Sequence, residues 1–291
     1  MVHVNNFTYG PVTPVLGFVM SSLGCFLGLR CTTRARASQG APRVRWLLLA
    51  TVSIATTGIW VMHFVAMLGF TIPGQTVTYS VPVTAASMLI AVVVVGAGLF
   101  IVGVGSSAWW RLLLGGVIIG FGVASMHYIG MAAMRMPDTV RYSSPLVVLS
   151  VAIAVVAGTA ALWAAIRLAA VWSTLLASLI MGVAVSGMHY TGIAAMHVYG
   201  TSSPGMPAAM AGGVSAQAFL IPLIVGISLV AFALTVIISL SPTEAEMQED
   251  TALMASLAAQ LAAPPAGALR TSPPAEGSGD DAAGRWFRPG H

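Results

Sequence analysis

Seven apolar runs, at about 11–31, 46–70, 83–104, 111–136, 145–167, 171–198 and 218–240, alternate with short polar stretches. Each run is long enough for a helix rising 1.5 Å per residue to cross ~30 Å of hydrocarbon. The connections at 71–82, 137–144 and 199–217 are rich in Pro, Gly, Ser and Thr, as links between antiparallel helices should be. The pattern predicts an all-α integral membrane fold of seven transmembrane helices over residues 1–240, with no soluble domain interrupting it. From Ser241 the composition shifts. Glu244, Glu246, Glu249 and Asp250 precede an Ala-rich stretch, then Pro264-Pro265, Pro273-Pro274 and Gly-Ser-rich sequence. This tail, 241–291, is expected to hold a short amphipathic helix over about 243–263 and to be disordered beyond it. The polar first ten residues carry no basic leader and no small-residue cleavage site, so no cleaved signal peptide is expected.

Composition agrees with the pattern. Hydrophobic residues make up 57% of the chain and charged residues 7%, and the mean hydropathy is +0.91, too apolar for a soluble fold of this length. All 12 basic residues are arginine. Arg30, Arg34, Arg36, Arg43, Arg45, Arg111 and Arg167 flank one set of span ends, and only Arg135 and Arg141 flank the other. By the positive-inside rule the first set is cytoplasmic, which puts the N-terminus outside and the C-terminus inside. The basic charge therefore reports orientation in a lipid bilayer and not nucleic-acid binding.

The spans repeat. Met62-His63-Phe64-Val65-Ala66-Met67, Met126-His127-Tyr128-Ile129-Gly130-Met131 and Met188-His189-Tyr190-Thr191-Gly192-Ile193 are close copies on the second, fourth and sixth runs. Trp46, Trp110 and Trp172 each stand 17 residues before the histidine of their own copy. Tyr9-Gly10-Pro11, Tyr79-Ser80-Val81-Pro82 and Tyr142-Ser143-Ser144-Pro145 open the first, third and fifth runs. The unit is a helical hairpin, present three times and followed by a seventh helix. With the tryptophans in the cytoplasmic aromatic belt, a 17-residue rise sets all three histidines at one depth, about 25 Å above it and near the outer leaflet.

Three imidazoles at one level of a membrane are costly unless they share a partner. His63 with Met67, and His127 with Met131, are four residues apart and lie on one helix face. Met134 and Met196, seven residues after His127 and His189, extend that face. Met62, Met126 and Met188 either flank the same site or pack between helices. Imidazole and thioether together are a copper ligand set, the thioether favouring Cu(I). Gly58, Gly122 and Ala184 offer close helix approach below the histidines. Tyr128 and Tyr190 could present a hydroxyl to a bound ligand or simply pack. Cys25 and Cys31 form no evident disulfide, His197 is a solvated span-end residue or an entry ligand, and His3 and His291 are terminal.

The triplicated Met-His-Tyr motif on alternate helices, spelled Met188-His189-Tyr190-Thr191 in the third copy, resembles the MHYT domain family over about residues 8–240. The resemblance implies a sensory domain of the bacterial plasma membrane. It further implies one or two copper ions held by His63, His127 and His189 with Met62, Met126, Met188, Met67 and Met131, and oxygen, carbon monoxide or nitric oxide as the sensed ligand. Phe64, Val65-Ala66 and Ile193 depart from the family pattern. Many members carry cytoplasmic output domains; the tail is too short to fold as one, so a separate output protein is expected as partner.

Two other readings fit the same residues. A copper transporter or conduit would need ligands repeated down the bundle, whereas the inner halves of these runs are mostly Ala, Val, Leu and Gly. Asp138 is the single acidic residue before position 241, so an ion-coupled carrier lacks its usual intramembrane carboxylate. A bis-histidine haem protein would use two imidazoles, and three equivalent ones suit a trigonal ion better. No Ser-His-Asp set, paired carboxylates or phosphate-binding Gly loop supports an enzyme.

Overall fold

The computed structural model describes residues 4–104, 108–200, 214–240 and 244–262. The expectations for His3, His291, most of the last outer loop and the tail beyond 262 fall outside them. Among the described residues, seven helices are long and apolar enough to cross a membrane: α1 (Val12–Ala37), α2 (Gly40–Met67), α3 (Val81–Gly103), α4 (Trp109–Ala132), α5 (Ser144–Arg167), α6 (Val171–Ala194) and α7 (Ala216–Leu240). The seven-span, all-helical expectation holds. The region from Thr243 onward, a separate unit, contributes helix α8 (Glu244–Ala262).

Boundaries differ from the hydropathy reading in three places, each with a local cause. The arginine-rich segment expected as a loop is almost wholly helical, since nothing breaks α1 before Ser38-Gln39. Arg34 and Arg36 occupy the last turn of α1, where cations complement the helix dipole. The Arg36 guanidinium also donates to the carbonyls of Ala165, at 2.7 Å, and Leu168, and that of Arg43 donates to Gly103. They thereby satisfy open carbonyls at the ends of α5 and α3.

The fourth and sixth spans stop at Ala132 and Ala194, short of the expected 136 and 198, because the chain there joins small antiparallel ladders. β1 (Thr78–Tyr79) pairs with β2 (Met134–Arg135) and with β5 (Val214–Ser215), and β3 (Thr139–Tyr142) pairs with β4 (Met196–Tyr199). The ladders close each hairpin on itself. The segment before an odd helix bonds the segment after the following even one, as Asn5 with Thr71, Ser80 N–H to Ala133 O at 2.9 Å, and Ser143 N–H to Ala195 O at 2.8 Å. Ser80 and Ser143 sit in extended conformation just before α3 and α5, with proline in the first turn, where its missing N–H costs nothing.

Helix α2 is the enclosed one: 78% of its most apolar window is buried, against 17% for α7 at the periphery. Between Ser53 and Val61 it is wound as a π-helix. α1 lies across α2 so closely that a Cβ on Gly24 would collide with the backbone of Gly58. Gly122 of α4 likewise lies against Val94 of α3, so the small residues serve contacts within a hairpin. At the opposite end from the ladders, Trp46 lies 5.2 Å under the Arg34 guanidinium and Trp110 5.6 Å from that of Arg111, while Trp172 is largely exposed. That arrangement fits an interfacial belt.

Candidate metal centre

The three motif copies bring His63 of α2, His127 of α4 and His189 of α6 together on the bundle axis. All are buried, at 1%, 0% and 0% exposure. Their ring centroids are 4.9–5.0 Å apart and their planes cross at 81–86°, a near-threefold arrangement. The Nδ1 atoms turn inward: His63 Nδ1 is 3.0 Å from His189 Nδ1 and 3.1 Å from His127 Nδ1.

Each Nε2 points outward, buried and without a hydrogen-bond partner. For His63 and His127 the reason is visible on the neighbouring helix, three residues beyond its histidine. A Cβ on Gly130 would lie 2.5 Å from His63 Nε2, and one on Gly192 would likewise meet His127 Nε2. The motif glycine of one repeat is thus the seat of the preceding repeat's imidazole, which holds Nδ1 toward the centre. The sequence pattern assigns these glycines no role; their common place three residues after His127 and His189, where the first copy has Ala66, is the available signal.

The aromatic residue after each histidine extends the ring. His63, His127 and His189 meet Phe64, Tyr128 and Tyr190 edge-on at 4.7, 4.9 and 5.0 Å. Those rings in turn pack on the opening segment of the next repeat: Phe64 on Tyr79, Tyr128 on Tyr142, and Tyr190 on Phe7. The Tyr128 hydroxyl is 2.7 Å from Ser150 Oγ, so it is engaged away from the centre. Tyr79 lies just outside the span, and burial raises its phenol well above the usual range, so it stays neutral.

Chemically, the triad suits a cation. A neutral imidazole carries one N–H; with it on Nε2, three lone pairs converge on one point, and with it on Nδ1 only one partner of each close pair can donate. Edges of 3.0–3.1 Å between nitrogens are compatible with nitrogens ~2.0 Å from one ion. The three histidines are the one group among the described His, Cys, Asp and Glu side chains that could hold a metal.

The methionines are distributed around them. Met62, Met67, Met126, Met131 and Met188 are all at most 2% exposed. Met62 faces α1, its Cγ 3.5 Å from where a Cβ on Gly17 would stand, and Met188 lines a cavity below the triad. Met134 and Met196 stand on β2 and β4 and do not continue a helical face. His197, on β4, pairs in register with Arg141. Cys25 and Cys31 are free thiols, both buried.

A seven-span membrane bundle with one buried histidine cluster on its axis, built from three copies of a hairpin, defines a class of multi-pass membrane signalling domain. The family profile described as "MHYT: Bacterial signalling protein N terminal repeat" matches residues 57–116, 120–178 and 182–248. The chain belongs to this family and is a multi-pass protein of the bacterial plasma membrane. Each matched repeat starts just ahead of a histidine, so α1 precedes the first.

The chain is 36% identical over 193 residues to the bifunctional diguanylate cyclase/cyclic di-GMP phosphodiesterase MucR of Pseudomonas aeruginosa, which covers 65% of this chain and 28% of that protein. It is 36% identical over 199 residues to the cyclic di-GMP phosphodiesterase NbdA of the same organism, covering 66% of this chain and 25% of that protein. To the signaling protein YkoW of Bacillus subtilis it is 30% identical over 203 residues, covering 67% and 24%. The chain spans about a quarter of the length of these relatives. No solved structure matches it.

Proposed function

We propose that this membrane domain is a copper-dependent sensor of a diatomic gas, oxygen, carbon monoxide or nitric oxide, near the outer membrane face, with the N-terminus outside. The observation that supports it best is the convergence of three buried imidazoles, the Nδ1 of His63 lying 3.0 Å and 3.1 Å from those of His189 and His127. His63, His127 and His189 would hold the ion, one from each repeat. Met67 and Met131, four residues after two of them, would add thioethers, with Met62, Met126 and Met188 buried around them. Copper held by three protein ligands keeps a position at which a diatomic molecule can bind.

The chain's own contribution is positional. Gly130 and Gly192 set the imidazoles, and Phe64, Tyr128 and Tyr190 tie each to the next repeat. A shift at one histidine is thereby passed to a neighbouring helix pair. The relatives named for cyclic di-GMP chemistry suggest the output: the signal leaves through the cytoplasmic ends of the helices to a catalytic partner or module. Between the alternatives, the close nitrogens favour a single ion over haem, whose two axial nitrogens stand ~4 Å apart across the iron, twice a ~2.0 Å bond.

The test is metal content of detergent-purified protein loaded with Cu(I), beside a variant with His63, His127 and His189 changed to Ala. Near-stoichiometric copper in the parent and none in the variant supports the reading. Equal copper in both, or none in the parent, overturns it.

A further inference from the structure

Beneath the triad the bundle holds a cavity of about 40 Å³. Its position follows the repeat. Ile59, Val123 and Val185, each four residues before the histidine of its own copy, all line it, so it lies on the same axis one helical turn, ~6 Å, below the imidazoles. Met188 joins it from the motif itself. On the far side the wall belongs to α5, where the small side chains of Ala154, Ala157 and Ala161 leave the space that larger ones would fill.

The lining is apolar, with the Cys25 side chain its most polar member. Water there would find no hydrogen-bond partners, and apolar cavities of this kind stay dry yet take up apolar ligands. One water needs roughly 10–15 Å³ by the same measure, so about 40 Å³ admits a molecule of two or three non-hydrogen atoms. Interiors pack to crystal density with few voids. A void on the symmetry axis, bordered by the same position in all three repeats, is not a random packing fault.

We propose that this cavity is a binding pocket for a small, uncharged, apolar molecule of diatomic size, held one turn from the metal centre. It deepens the gas-sensing reading by assigning the ligand a site of its own, which concentrates the gas beside the ion without needing the ion. A diatomic gas partitions into lipid and arrives through the bilayer, so an apolar pocket at membrane depth suits it better than an aqueous channel.

Xenon, chemically inert and monoatomic, is the probe. The full chain in lipid nanodiscs is titrated with xenon and followed by ¹²⁹Xe NMR, with empty nanodiscs as reference. The parent should show saturable xenon binding with and without copper loaded, since the pocket does not depend on copper. Ala154→Leu, which fills the space, should lose saturable binding at least tenfold while keeping its copper content. Should Ala154→Leu not fold, Ala157→Val is the filling variant. Xenon uptake in the parent no greater than in lipid alone, or undiminished in a folded, filled variant, overturns the proposal. Absence of copper with xenon binding intact would instead sink the metal reading and leave the pocket standing.

Discussion

Gly130→Ala is the smallest change that addresses how the centre is built. The new methyl carbon would stand 2.5 Å from His63 Nε2, 3.0 Å from Cδ2 and 3.4 Å from Cε1, where ordinary carbon contacts lie at ~3.5–4.0 Å. The ring must retreat by about an ångström, yet metal–ligand distances tolerate only ~0.2 Å. His63 makes both of the close Nδ1 contacts, so pushing its ring inward crowds and distorts the triad on two sides. Overpacking of this size costs ~1–3 kcal/mol, and loss of a positioning contact lowers metal affinity ~10–100-fold; the two figures agree, at 1.4 kcal/mol per tenfold.

The assay is competition for Cu(I) against a chromophoric chelator in detergent, with circular dichroism to confirm the fold. Propensity pulls the other way, since Ala favours a helix interior over Gly by ~0.5–1 kcal/mol. A variant that is stably folded but binds copper as tightly as the parent would refute the seat role of Gly130.

Further outcomes follow from the same geometry. Gly24→Val should lower the thermal midpoint in detergent by several degrees, because its side chain meets the Gly58 backbone and overpacking costs ~1–3 kcal/mol; an unchanged midpoint would contradict the close α1–α2 contact. Tyr128→Phe removes the 2.7 Å bond to Ser150 and should destabilise by ~1 kcal/mol while leaving copper stoichiometry intact, and loss of copper would give the hydroxyl a direct role. In intact cells a membrane-impermeant maleimide should label Thr139→Cys and not Ser38→Cys, and the reverse labelling would invert the orientation.

Much of this was readable in the residues. The seven spans follow from hydropathy alone, and the meeting of His63, His127 and His189 follows from their common distance to Trp46, Trp110 and Trp172. That count conceals one difference: α2 is π-wound over Ser53–Val61, so the first copy reaches the same level by another path. Met134 and Met196 show why local periodicity misleads at span ends. Both continue a helical pattern in sequence, but backbone pairing with Tyr79 and Tyr142, contacts distant in the chain, draws them into strands. The inward Nδ1 and the seats at Gly130 and Gly192 are likewise relations between repeats, which no single copy encodes. The cavity is a matter of what side chains on six helices leave unfilled.

The most direct measurement is X-ray absorption at the copper edge of the Cu(I)-loaded protein. Three imidazole nitrogens in one shell at ~2.0 Å, reduced to two when His127 is replaced by Ala, is the predicted result. A shell made of sulfur with fewer than three nitrogens, or a spectrum unchanged by that replacement, would contradict the histidine triad as the site.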